Sequence, residues 1–127
     1  MEEKNIQLLI SYYRWSRLQI NLALRAKFKC EYCDKDLFGN IDNYKLWEVD
    51  HIIPKSSNNL EIDYEHIDNK AITCRQCNVS FKSKYNPINE IGVGKSREEY
   101  IFVIRERISE TRKQKQKELD EIIKVFF

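Results

Sequence analysis

Four cysteines stand in two pairs of identical spacing, Cys30-Glu31-Tyr32-Cys33 and Cys74-Arg75-Gln76-Cys77, and no fifth is left over. Each Cys-x-x-Cys sets two sulfurs on one tight turn, near enough to grip the same ion, and two such knuckles complete a tetrahedral all-sulfur zinc site. A redox dithiol would occur once, in a thioredoxin-like setting, and free surface thiols would not explain the duplication. Disulfides are not expected. The chain opens without a basic leader, apolar run and small-residue cleavage site, and no stretch reaches about 18 apolar residues, so a soluble, cytoplasmic protein with no membrane contact is expected. Ligation closes a loop of about forty residues and so couples metal binding to folding. Four sulfurs fill the coordination shell, which makes this zinc a structural ion without an open position for chemistry.

The rest of the chain is read around that frame. At 127 residues, with 42% hydrophobic content, 3 glycines and 2 prolines, it is expected to form one ordered α+β domain spanning 1–127. From Glu2 to about Ala26, Ile6, Leu9, Tyr13, Ile20 and Leu24 recur at helical spacing, with a second apolar row beside them; the pattern predicts one long helix over 1–27 covering a small core. Residues 28–85 hold short β-like pieces such as Leu46 to Val49, turn-prone runs such as Ser56 to Asn59, and both knuckles. Too few core elements lie there to stand unaided, which is where a structural metal is useful.

After Asn86-Pro87 and Gly92-Val93-Gly94, the run Ser96-Arg97-Glu98-Glu99 has the form of a capping box and predicts a second long helix over 96–127. Tyr100, Val103, Ile104 and Ile108 give it an apolar face, but Ser109 to Glu118 is almost wholly polar, so its middle is expected to leave the body. The final Leu119, Ile122, Ile123, Val125, Phe126 and Phe127 then need cover, from the chain itself, from a second copy or from another protein.

The formal charge is only +2, so distribution matters more than sum. Lys70, Arg75, Lys82 and Lys84 fall in a stretch without acids, whereas the loop before it carries Glu61, Asp63, Glu65 and Asp68. A basic face beside an acidic loop and an ordinary solvated surface are equally open readings of this pattern.

Between the knuckles lies Trp47-Glu48-Val49-Asp50-His51-Ile52-Ile53-Pro54; Asp68-Asn69-Lys70 precedes the second knuckle and Cys77-Asn78 closes it. Taken together these residues resemble the HNH endonuclease family: a cysteine knuckle, an Asp-His-Ile-x-Pro strand end, an Asn before a second knuckle, then Cys-Asn with a nearby lysine. The resemblance covers about Phe28 to Lys84. It implies a ββα-metal fold, two short antiparallel strands followed by a helix starting near Asn78, stapled by zinc and flanked by the two terminal helices. It also implies that His51 is the general base, that Asn69 holds the loop in shape, and that Asp50 and Asn78 bind one catalytic divalent ion, magnesium or manganese, in an H-N-N variant of the motif.

That assignment makes chemical sense. Phosphodiester hydrolysis needs a deprotonated water in line with the leaving oxygen, and a neutral imidazole is suited to take that proton. A hard cation on oxygen ligands answers the developing negative charge. The expected activity is cleavage of DNA, with Lys70, Arg75, Lys82, Lys84 and the run Arg112, Lys113, Lys115 and Lys117 holding backbone phosphates. Two alternatives stand beside it: a zinc-knuckle module that binds nucleic acid without cutting, and a nuclease subunit docked through its terminal helices onto a larger defence or mobile-element assembly. The sequence departs from the family pattern twice. Lys82 follows Asn78 by four residues where three is usual, Phe81 taking the expected place, and the stretch from His51 to Asn69 lacks a Gly-Gly turn and is acidic. Glu48, two residues before Asp50 on the same strand face, is expected at the surface, with a water-mediated contact to the catalytic ion as the alternative, and His66 is expected in solvent.

Overall fold

The computed structural model describes residues Met1–Phe127. Helices dominate, around one two-stranded antiparallel sheet made of β1 (Trp47–His51) and β2 (Lys70–Cys74), paired Trp47 to Cys74 through His51 to Lys70. This is the α+β arrangement expected of the chain. β2 is buried from Ala71 to Cys74 while β1 is half-buried along its length, so the sheet presents β1 to the surface and β2 to the core. Ala71, Ile72, Ile52, Ile53, Leu37 and Tyr32 pack there with Ala23 from the N-terminal region and Tyr100, Ile104 and Ile108 from the C-terminal helix.

The N-terminal segment is two helices, not one: α1 (Glu3–Ser11) and α2 (Arg17–Arg25). The break has a local cause. Ser16 accepts from the Gln19 N–H while the Gln19 side chain accepts from the Ser16 N–H, a capping box that restarts the helix, and Arg14 before it takes a left-handed φ of 66°. Apolar residues continue at helical spacing through the break, which hides it. α2 buries Ile20, Leu22 and Ala23; α1 buries nothing. Past α2, Lys27 and Phe28 both adopt positive φ, turning the chain into the first knuckle. The short helix α3 (Ile41–Lys45) then leads into β1 and helps form an aromatic cluster in which Phe38 lies 4.6 Å from Phe28 and 5.5 Å from Tyr44.

The helix after β2 starts at Gln76 instead of near Asn78, and it is a π-helix, Gln76–Lys82, with the Ser83 N–H bonded to the Asn78 carbonyl at 3.0 Å. The wider turn takes up the extra residue between Asn78 and Lys82. A short α4 (Ile88–Ile91) follows, and then α5 (Arg97–Phe126), whose Ser96–Glu99 capping box forms as expected. Tyr100, Ile104 and Ile108 seat its first three turns on the π-helix and sheet. Two arginines tie it down: Arg97 pairs with Glu31 at 2.6 Å, and Arg105 donates to the Glu31 carbonyl and to Asp34. From Arg112 to Phe127 every residue is exposed, an arm about 24 Å long whose Leu119, Ile122, Ile123 and Phe126 line one stripe. No helix is long and apolar enough to cross a membrane.

Candidate active site and metal centre

The sulfurs of Cys30, Cys33, Cys74 and Cys77 all lie within 4.8 Å of one another. The Cys33–Cys74 separation is 3.8 Å, far beyond a disulfide bond and equal to the edge of a tetrahedron with metal–sulfur bonds of about 2.3 Å. Each knuckle turns a backbone N–H onto its leading sulfur, Tyr32 onto Cys30 at 3.4 Å and Cys77 onto Cys74 at 3.5 Å. Hydrogen bonds from neighbouring thiols push Cys33 and Cys74 towards the thiolate, while the same crowding pushes Cys30 and Cys77 up. Four thiolates this close need a cation to coexist. The Arg112 guanidinium adds countercharge, 4.0 Å from the Cys77 sulfur and 4.4 Å from the Phe81 ring centroid. The donor set and spacing fit a soft, tetrahedral ion such as zinc.

β1 ends at His51, as a strand must if Asp50 and His51, which point to opposite faces, are to serve one substrate. On the first face, Glu48 and Asp50 look toward the π-helix. The Asn78 amide N–H donates to Glu48 Oε2 at 3.0 Å, leaving its carbonyl oxygen free, and Arg75 pairs with Glu48 Oε1 at 3.1 Å. One turn on, Lys82 Nζ lies 2.9 Å from Asp50 Oδ2 and donates to the His51 carbonyl at 3.0 Å. The Tyr32 hydroxyl donates to the same Asp50 oxygen at 2.7 Å; burial beside Asp50 pushes its phenol well above the usual range. Both partners use Oδ2, so Oδ1 is left for another. Thr73, paired across the strands with Glu48, has a buried hydroxyl without a partner on this face.

On the other face, His51 Nε2 is 3.1 Å from Glu65 Oε1. Asn69, nearly buried, accepts from the Ile53 N–H at 2.8 Å and donates to the carbonyls of Ile53 and Tyr64, fastening the loop between the strands at both sides. Its side chain is hydrogen-bonded neither to the His51 ring nor to Glu48, Asp50 or Asn78. Its place is that of a positioning residue.

The basic residues separate. Lys84 is exposed, Arg75 is exposed but paired to Glu48, and Lys70 is 12% exposed and paired to Glu65 at 3.0 Å. Lys82 departs from expectation: its side chain is 1% exposed and neutralises Asp50, so it cannot meet a phosphate from solvent. The physical reason is that the π-turn rotates the fourth residue after Asn78 inward, onto a strand carboxylate that needs a counterion. Replacing Lys82 with Met strands that charge with Tyr32 as its one neutral donor, and is expected to cost about 3 kcal/mol of stability, read as a lower urea midpoint. Glu48 is held at the site and not merely at the surface, whereas His66 is exposed and accepts from the Asp68 N–H, capping a short 3-10 turn. Glu65, Tyr32 and Lys55 carry no sequence signal at all; contacts spanning 14 and 18 residues bring the first two to the site.

Residues 30–84, the knuckle-to-knuckle segment, match the family model described as HNH endonuclease. The matched segment holds all four sulfurs, both strands and the π-helix. No curated protein matches the chain.

Proposed function

We propose that the chain, whose residues 30–84 match the HNH endonuclease model, acts as one domain that is a metal-dependent endonuclease hydrolysing phosphodiester bonds of DNA. The observation that carries the reading is the strand end at Asp50-His51, which presents an imidazole on one side and a set of oxygen ligands on the other, inside the segment that matches the family. His51 takes the proton of the attacking water. Asn69 fixes the backbone of Ile53 two residues on, and so the strand end from which His51 projects. Asp50 through Oδ1, the Asn78 carbonyl oxygen and Glu48 form a hard-oxygen donor set of the kind magnesium or manganese prefers, with the buried Thr73 hydroxyl beside it. Such an ion, when bound, supplies charge stabilisation at the phosphate and the leaving alkoxide. Lys84 and the exposed Arg112, Lys113, Lys115 and Lys117 give salt-dependent hold on the backbone with little choice of sequence.

The deciding experiment incubates zinc-loaded protein with supercoiled DNA, linear DNA and RNA in magnesium, manganese or calcium. Nicking or linearisation of the plasmid in magnesium or manganese is the expected result. Zinc-loaded protein that cuts no substrate in any metal would overturn the reading. One observation favours a second reading, a module that binds without cutting: Asp50 is ion-paired to Lys82, and the His51 ring nitrogen Nε2 is occupied by Glu65. Nucleic-acid binding with no cleavage, left unchanged by His51→Ala, would select it.

A further inference from the structure

Three basic groups from three places in the chain converge on one carboxylate. Glu65 Oε1 is 2.6 Å from Lys55 Nζ and 3.1 Å from His51 Nε2, and Oε2 is 3.0 Å from Lys70 Nζ. We propose that Lys55 and Lys70, beside the His51 ring, form a subsite for one backbone phosphate of the nucleic acid, and that the Glu65 carboxylate fills it in the free protein until a phosphate displaces it. The inference rests on the nuclease reading above for the identity of the ligand.

The chemistry of the cradle is that of an oxyanion site. A phosphodiester, like a carboxylate, carries one negative charge over two oxygens, so an exchange leaves both lysine ammoniums with an acceptor. Lys70 makes the site obligatory. Its side chain is 12% exposed and stands directly across the strand pair from His51, so a largely buried lysine keeps its need for an anionic partner whether or not Glu65 supplies it. Glu65 itself is 57% exposed, and its carboxylate has no partner beyond these three. The backbone next to it is fastened, through the Asn69 bond to the Tyr64 carbonyl and the Asn59 N–H bond to the Tyr64 hydroxyl. Only the side chain has to swing away, which costs rotamer changes and no loop opening. Lys55, Lys70 and His51 hold the Glu65 carboxyl down at about 2, so mild acid does not release it and a competing anion must. A phosphate in the cradle lies against the His51 ring, where a general base for that backbone has to be.

The test is fluorescence polarisation of a labelled DNA duplex at two salt concentrations, without added divalent ion, on full-length zinc-loaded wild type, Glu65→Gln, Lys55→Ala and the double variant. Removing one negative charge from a phosphate site is expected to tighten binding about three- to tenfold. Lys55→Ala weakens binding and, combined with Glu65→Gln, erases most of the gain. Glu65→Gln that binds no tighter than wild type overturns the subsite, and so does a Glu65→Gln protein whose kcat falls with binding unchanged, because Glu65 would then serve to orient the imidazole. If neither protein cuts but Glu65→Gln still binds more tightly, the subsite is supported and the nuclease reading alone fails.

Discussion

A Cys74→Ser protein is expected to lose its metal and, with it, the cooperative fold of the segment between the knuckles. The expectation follows from how little else holds that segment. Only 19 of the 127 residues are buried, and three of those are the cysteines 30, 74 and 77 themselves, so the sulfur cluster is part of the core. Structural zinc in small domains contributes on the order of 10–16 kcal/mol apparent, as much as the whole stability of a typical domain. The serine oxygen is a poorer ligand for a soft thiolate site, and it leaves the Cys77 N–H without the sulfur to which it points. The consequence propagates through β2, which ends at Cys74, and through Arg97 and Arg105, which anchor α5 on the first knuckle at Glu31 and Asp34. Zinc content by atomic absorption, far-ultraviolet circular dichroism and limited proteolysis would report it together. A Cys74→Ser protein that keeps a cooperative unfolding transition and resists protease would show that the four sulfurs are dispensable. Chelation of the wild type should produce the same unfolded state, reversed by added zinc.

The parts of this architecture that were legible in sequence are those written in local spacing. Two knuckles of equal spacing announce the sulfur cluster, Ser96 with Glu99 announces α5, and the β-like run around Trp47 to Val49 announces β1. Features set by register and long-range closure were not legible in the same way. The helix break at Ser16 does have a signal, Ser16-Arg17-Leu18-Gln19, but it is masked by apolar residues that keep helical period on both sides. The four-residue step from Asn78 to Lys82 can be counted in sequence, yet its outcome depends on the π-turn, which carries Lys82 inward to Asp50. Glu65 is one of four acids in a polar loop, and nothing local separates it from Glu61 or Asp63. The Asn69 and Asn59 bonds to Tyr64, by fixing where the loop folds back, bring it beside His51.

His51→Ala is expected to lower kcat for DNA cleavage by about 10²–10⁴-fold, the range a positioned general base supplies, while leaving zinc content and the unfolding transition unchanged. The second half of that expectation makes the first interpretable. The tie between His51 and the buried Lys82 runs through the His51 backbone carbonyl, not the ring, so alanine keeps it. The strand hydrogen bonds to β2 are likewise backbone bonds, and the ring is partly exposed at the end of β1, so its loss opens no sealed cavity. The one side-chain hydrogen bond removed is that to Glu65, which keeps both lysines. A folded, zinc-loaded His51→Ala protein is therefore the proper control for the wild type. Its single-turnover rate on plasmid DNA, measured at saturating protein, separates proton abstraction from substrate binding. If that rate stays within about tenfold of wild type, His51 is not the base, and the chemistry has to be sought on the opposite face of the strand at Glu48 and Asp50.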